Sequence, residues 1–147
     1  MIEAVTESNI RAAAVVHSVA WQASHTFCTP EFIAAHTPER QEAYLRGKLE
    51  KGSRLFLRSE EGEAIGLVSV TGSLIADLYV LPERQNRGRG TALLHYAMEQ
   101  CEGAPTLWIL EINRGAERLY RREGFLPTGR SSVFPNGLHE YEFVLHR

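Results

Sequence analysis

Val80-Leu81-Pro82-Glu83-Arg84-Gln85-Asn86-Arg87-Gly88-Arg89-Gly90-Thr91 is the stretch that decides the fold. An apolar run, Leu74 to Val80, reads as a strand that Pro82 stops. The segment from Arg84 to Gly90 is polar, basic and glycine-bearing. Thr91 to Cys101 then changes period, with Leu93, Leu94, Ala97, Met98 and Cys101 on one helical side. Gly103 to Pro105 breaks that helix, and Thr106 to Ile112 is again an apolar strand. Strand, helix and strand in this order predict a right-handed parallel crossover from Leu74 to Ile112.

The turn within this unit carries a chemical expectation. Helix N-termini leave backbone N–H groups unsatisfied and carry partial positive charge. Glycines let an anion approach those groups closely. Gln85-x-x-Gly88-x-Gly90 supplies the glycines, Arg84, Arg87 and Arg89 supply charge, and Thr91 supplies a hydroxyl. These are the parts of a pyrophosphate cradle. The turn lacks the Gly-Lys-Ser/Thr ending of a nucleotide-hydrolase loop and the third glycine of a dinucleotide loop. A tight turn with solvated arginines is the plain alternative.

Downstream, Arg114 to Glu123 reads as a helix, with Ala116, Leu119 and Tyr120 at helical spacing and Gly124 at its C-terminal end. Phe125 to Arg130 and Leu138 to Leu145 read as closing strands around a Pro135-Asn136-Gly137 turn. Upstream, Met1 to Val5 reads as a first strand, and Ser8 or Asn9 can cap a helix from Ile10 to about Gln22. Thr29-Pro30 and Thr37-Pro38 are helix starts with proline at the first position. The second of these helices, ending near Lys51, is expected to turn Tyr44, Leu45 and Leu49 inward. Arg54 to Arg58 and Ala64 to Val70 read as a hairpin pair. The whole is one α/β domain, residues 1–147, with no repeat or linker and a mixed, mostly antiparallel sheet flanked by helices.

The chain has 147 residues, 44% hydrophobic and 23% charged, with a formal charge of −2. That balance argues against nucleic-acid or membrane-surface binding, so an anion site must be local. Two distant cysteines, Cys28 and Cys101, suggest neither a zinc site nor a disulfide framework. Glu3 and Glu7 near Met1 do not fit a signal peptide, and no run approaches the length of a membrane span. The expectation is a cytoplasmic protein without a metal.

Two blocks then carry a resemblance. One is Asp-Leu-Tyr-Val-x-Pro-x-x-Gln-x-x-Gly-x-Gly-Thr at 77–91. The other is Leu-Trp-x-Leu-x-x-Asn-x-x-Ala-x-x-Leu-Tyr-x-x-x-Gly-Phe at 107–125. Together, in this order and spacing, they resemble the GNAT superfamily of acetyl-CoA-dependent N-acetyltransferases, and they cover about a third of the chain. The resemblance implies the GNAT (acyl-CoA N-acyltransferase) fold, with two splayed parallel central strands and acetyl-CoA in the gap. The pantetheine arm would run along Leu78, Tyr79 and Val80. The pyrophosphate would lie on Gln85, Asn86, Arg87, Gly88, Arg89, Gly90 and Thr91. Asn113 and Ala116 would flank the arm, with Tyr120 near the thioester sulfur.

The implied reaction is direct transfer of the acetyl group to a primary amine, of a small molecule or a peptide, in a ternary complex. A backbone N–H near Leu78–Val80 would stabilise the oxyanion, and Tyr120 would protonate the thiolate. A tyrosine on an apolar helix face is also a packing residue, and Asn113 is also a helix cap. The base has several candidates. Many relatives carry a Glu at the position matched to Leu74, and others an acidic residue where Ala76 stands. Asp77 is the remaining carboxylate on that strand. It is read either as the group that meets the acceptor amine or as a solvent-facing residue of an alternating strand. Glu111, His25 and His139 are reserves. Cys28 borders the acceptor side by resemblance, and Trp21, Phe27 and Trp108 either line the pocket or pack in the core. A non-catalytic acyl-CoA sensor on the same fold is the rival reading, kept open by Leu74. By resemblance, the closing strands suggest a homodimer.

Overall fold

The computed structural model describes residues Met1–Arg147. Seven strands form one sheet: β1 (Ile2–Ala4), β2 (Arg54–Glu60), β3 (Glu63–Thr71), β4 (Leu74–Val80), β5 (Thr106–Leu110), β6 (Leu126–Val133) and β7 (His139–Val144). Their spatial order is β1-β2-β3-β4-β5-β7-β6. Only β4 and β5 run parallel, as the crossover predicts. Five helices flank the sheet: α1 (Ile10–Ser24), α2 (Pro30–Ala34), α3 (Pro38–Glu50), α4 (Arg89–Gln100) and α5 (Arg114–Arg122).

The local signals act where sequence chemistry places them. Thr29 and Thr37 each accept a backbone N–H of the following first turn, at 3.2 Å, ahead of a proline. Asn9 begins α1 but does not cap it. Its amide side chain instead ties Thr6 N and Ala4 O, at 2.7 and 3.1 Å, and so fixes the chain before the helix. The α4 helix starts at Arg89, two residues before the expected Thr91, because Gly88 takes a left-handed φ of 78° and lets the chain enter the helix at once. A single 3-10 turn, Pro82–Arg84, bridges β4 to that loop. The closing strands are shifted, β6 running on to Val133, with an irregularity in the pairing between Pro127 and Ser131, where Gly129 has a positive φ.

Two cores lie on opposite faces of the sheet. Leu45, Leu55, Leu57, Ile65 and Leu67 pack with Ile10, Ala13, Ala14 and Val16 under α1 and α3. Phe56, Val68, Val70, Ile75 and Val80 pack with Leu93, Leu94, Ala97 and Phe125 under α4. Each fully buried leucine contributes roughly 1.5–3 kcal/mol by leaving water. Strand alternation explains the division along β2 and β3. In β4 it breaks: Ile75 and Val80 share a face although five residues apart.

The break is a bulge. Ser69 pairs with Ala76 and Leu67 with Tyr79, so β4 spends an extra residue there. Asp77 sits at the bulge with φ 50°, an unusual value for a non-glycine residue. The extra residue reverses the alternation of everything after it. Asp77 therefore faces α1 and α3, and Leu78 joins the α4 core.

Candidate active site

The parallel pair β4–β5 is bonded at only one register position, Leu74 opposite Thr106. Beyond it the strands part, and a cleft of about 660 Å³ occupies the gap. Residues 75–80 form one wall, and Leu107 to Leu110 with Asn113, Ala116 and Tyr120 form the other. Leu81 N–H donates to Ile65 O at 2.9 Å, so by alternation the neighbouring Val80 turns its backbone groups toward the gap. Gln85 Nε2 confirms that direction by donating to Val80 O at 2.9 Å. The cleft thus has an unused strand edge along one side.

The N-terminus of α4 stands at the end of that edge. Gly88 O accepts the first intrahelical bond, from Ala92, and Gly88 has no side chain to cap the turn. The N–H groups of Arg89, Gly90 and Thr91 are left for an anion. The arginines are arranged differently from the sequence expectation. Arg89 Nε binds both carboxylate oxygens of Glu60, at 2.9 and 2.8 Å. Arg84 reaches Glu63 at 2.8 Å. The β2–β3 hairpin thereby claims two of the three guanidinium groups, leaving Arg87 as the exposed one without an ion pair. The pairing also clamps the loop against the hairpin. Asn86, at φ 64°, and Gly88 shape its backbone.

Tyr120 and Asn113 come from α5. Asn113 caps the helix by accepting Ala116 N–H at 3.1 Å, which leaves its amide NH₂ free at the cleft. Tyr120 packs its ring edge-on to Phe125, at 5.9 Å between centroids, and its hydroxyl makes no hydrogen bond within the protein. Burial pushes its phenol up to about 12. It is therefore a neutral donor throughout the physiological range.

Asp77 is where the structure departs most from the sequence reading. Its side chain is 12% exposed, so the solvent-facing alternative does not hold. Lys48 Nζ lies 2.6 Å from its carboxylate, Ser69 Oγ 2.9 Å, Tyr44 hydroxyl 3.0 Å and His17 Nε2 3.5 Å. Gln41 contacts the other ring nitrogen of His17 and orients it. Burial alone raises the Asp77 carboxyl, but the His17 hydrogen bond and the Lys48 charge outweigh it and hold the group well below the usual carboxylate range. So satisfied a carboxylate is a poor proton acceptor. Its hydrogen bonds pin the bulge, and its demand for donors draws Tyr44 to the surface of α3 instead of into the core. Leu74 lies at the closed end of the split, outside the cleft walls, so its lack of a carboxylate says nothing about proton transfer inside.

His25 and Phe27, a reserve base and a candidate lining residue in the sequence, do line the cleft, and Phe134 and Glu140 join them there. His25 stacks on Trp21 at 3.9 Å and donates Nδ1–H to Trp21 O at 2.7 Å. Trp21 is in turn stacked by His36, a sandwich rather than a core packing site. Burial lowers both imidazoles, keeping them neutral near pH 7. Trp108 faces the cleft, with the Arg130 guanidinium 5.7 Å from its ring. Glu111 accepts His139 N–H at 3.1 Å, a backbone role at the end of β5. The cleft walls include Phe27 but not Cys28.

A sheet split between two parallel strands, with an uncapped helix N-terminus at its mouth, defines an α/β protein that holds an extended ligand with an anionic end. The sequence profile of the acetyltransferase (GNAT) domain matches residues 51–127, which spans the split and the loop. The chain belongs to this family. It is 31% identical over 75 residues to peptidyl-lysine N-acetyltransferase YjaB of Salmonella typhimurium, covering 51% of each chain. It is 27% identical to peptidyl-lysine N-acetyltransferase YiaC of Escherichia coli, across 75% of this chain and 70% of that one. The aligned part thus spans about half the length of the first relative. Among solved structures, yncA of Salmonella typhimurium, determined with its cofactor acetyl-CoA, superposes with a TM-score of 0.73 at 17% identity, covering 99% of this chain and 92% of that one. The fold is the GNAT fold.

Proposed function

We propose that this protein transfers the acetyl group of acetyl-CoA to a primary amine in a single ternary complex. The observation that carries the reading is the split between β4 and β5. Its free strand edge leads from the Tyr120 hydroxyl to the unpaired N–H groups of α4. In this reading the backbone of Leu78 and Val80 pairs with the pantetheine arm, with Tyr79 between them turned toward β3. Asn86, Arg87, Gly88, Arg89, Gly90 and Thr91 receive the pyrophosphate. Gln85 stays on Val80 O and fixes the turn between the two. Asn113 and Ala116 flank the arm from the opposite wall. Acetyl-CoA supplies an activated acyl group; the protein aligns it and holds the acceptor close. A Val80-side N–H steadies the oxyanion, and Tyr120 gives its proton to the departing thiolate.

The acceptor class is supported by the relatives, two of which are named peptidyl-lysine N-acetyltransferases. A lysine-type amine fits the reading, because the exposed rings of Phe27 and Phe134 in the cleft offer apolar faces to an alkyl arm. The proposal includes a homodimer. β6 is the outer strand of the sheet, exposed along its whole length, and it carries Leu126 and Val133 at 53% and 57% exposure. Light scattering on the eluting protein checks this, a monomer mass removing it.

The test of function is thioester cleavage. Acetyl-CoA and a lysine-containing peptide should release free thiol with wild-type protein. Tyr120→Phe should slow that release by about 10²-fold while acetyl-CoA affinity, measured by titration calorimetry, is unchanged. Equal rates in the two proteins would remove Tyr120 from the role. Binding without turnover of any amine would favour a sensor on this fold.

A further inference from the structure

Asp77 was the carboxylate expected to meet the acceptor, and it is committed elsewhere, to Lys48, Ser69, Tyr44 and His17. The cleft has one other carboxylate in its walls, Glu140 of β7. β7 lies between β5 and β6, with Glu140 opposite Leu110 on one side and Ser132 on the other. Glu142, two residues on and thus on the same face, is bound by Thr128 at 2.9 Å and Arg130 at 3.2 Å. Glu140 has no such partner: its side chain makes no hydrogen bond and no ion pair in the protein. A half-buried carboxylate left unpaired at the wall of a cleft is open to a donor that a ligand brings.

Its surroundings define that donor. Phe27 and Phe134 line the same cleft and are 46% and 40% exposed, large apolar rings held at a surface. The cleft contains no lysine or arginine to compete for Glu140. An apolar arm ending in a cation matches this arrangement, the rings taking the methylenes and favouring the charge.

We infer that Glu140 is the acceptor-side catalytic carboxylate, which binds the ammonium of a lysine-like alkylamine and removes the proton that frees its lone pair. This rests on the acetyltransferase reading above. The ammonium gives one proton to Glu140. The nitrogen lone pair then forms the C–N bond as the C–S bond breaks, and the sulfur takes the Tyr120 proton. The second proton lost by nitrogen restores Tyr120 through solvent, and Glu140 releases its own to water. One ammonium and one thioester thus give one amide, one thiol and one proton.

Burial shifts the Glu140 carboxyl upward, toward a better base. The other titratable groups in the cleft are His25 just after α1, Asp77 and Tyr79 of β4, and Tyr120 of α5, with Glu111 and His139 at the adjacent strand ends. Of these, His25 is the rival base, since its Nε2 is unpartnered.

The experiment compares wild type, Glu140→Gln, Glu140→Asp and His25→Asn by thiol release at saturating acetyl-CoA. Two acceptors are used: Nα-acetyl-lysine amide, protonated at pH 7, and methoxyamine, already neutral there. Glu140→Gln should lose about 10²-fold in kcat/KM with the lysine acceptor and less than about threefold with methoxyamine, and Glu140→Asp should recover part of the loss. Acetyl-CoA affinity should be the same in all four. An equal loss with both acceptors would make Glu140 merely structural and overturn the inference. So would an undiminished Glu140→Gln rate, or a loss that follows His25→Asn instead. If wild type releases no thiol with either acceptor, the acetyltransferase reading itself falls, and this inference with it.

Discussion

Removing the Lys48 ammonium would strand a carboxylate. Lys48 and Asp77 are 20% and 12% exposed, and breaking such a pair from one side costs about 3–5 kcal/mol. Lys48→Met should therefore lower the melting temperature markedly, and Asp77→Leu added to it should recover part of the loss. Two single losses that simply add would show that the pair does not act as a unit. The pH dependence has a definite sign. Asp77 is depressed in the folded protein, so its contribution is complete above its unfolded value of about 4 and is lost as pH falls through the lower folded value. The Lys48→Met deficit should accordingly be largest near pH 7 and narrow on acidification, as calorimetric scans at several pH values would show. Asp77 was visible as a carboxylate in the right place, but its four partners come from α1, α3 and β3, distant in sequence and silent in any local pattern.

At the scale of elements, β3 and α4 meet at Gly66. A Cβ there would lie 2.6 Å from Leu93 Cδ1 and 3.3 Å from the Tyr79 carbonyl oxygen. Gly66→Ala should push α4 and the β4 bulge apart, costing about 1–3 kcal/mol and weakening acetyl-CoA binding. Unchanged affinity in the folded variant would show that the cleft tolerates that shift. Gly88→Glu acts on the loop alone, placing a strained backbone and a negative charge, the same sign as the pyrophosphate, at the helix N-terminus. It should reduce acetyl-CoA affinity at least about tenfold, against roughly 0.3–2 kcal/mol for the dipole effect by itself. Full affinity would mean that the anion lies elsewhere. The helix boundaries, the two Thr-Pro starts and the parallel crossover were legible because capping and periodicity are local. The engagement of Arg84 and Arg89 by Glu60 and Glu63 was not, because the hairpin that carries those glutamates reaches the loop only through the fold.

For the molecule as a whole, the two halves of the sheet touch along β4–β5 at one paired position. A ligand in the split would bridge them. Acetyl-CoA at about a hundred times its dissociation constant should stabilise the protein by about 2.7 kcal/mol. It should also protect amides of both β4 and β5 from hydrogen exchange. Protection confined to one strand would contradict a bridging pose.

The sequence by itself determined the element order, the parallel crossover, the two-block match and the position of the loop, because these depend on spacing along the chain. The tertiary structure alone decided three things. A bulge reverses the alternation of β4, turning Asp77 into a buried, charge-paired anchor. Arg84 and Arg89 are spent on the hairpin. Glu140 is brought from the last strand to the cleft without a partner. The physical reason is the same in each case. A charge is defined by the groups that surround it, and those groups converge only when the chain is folded.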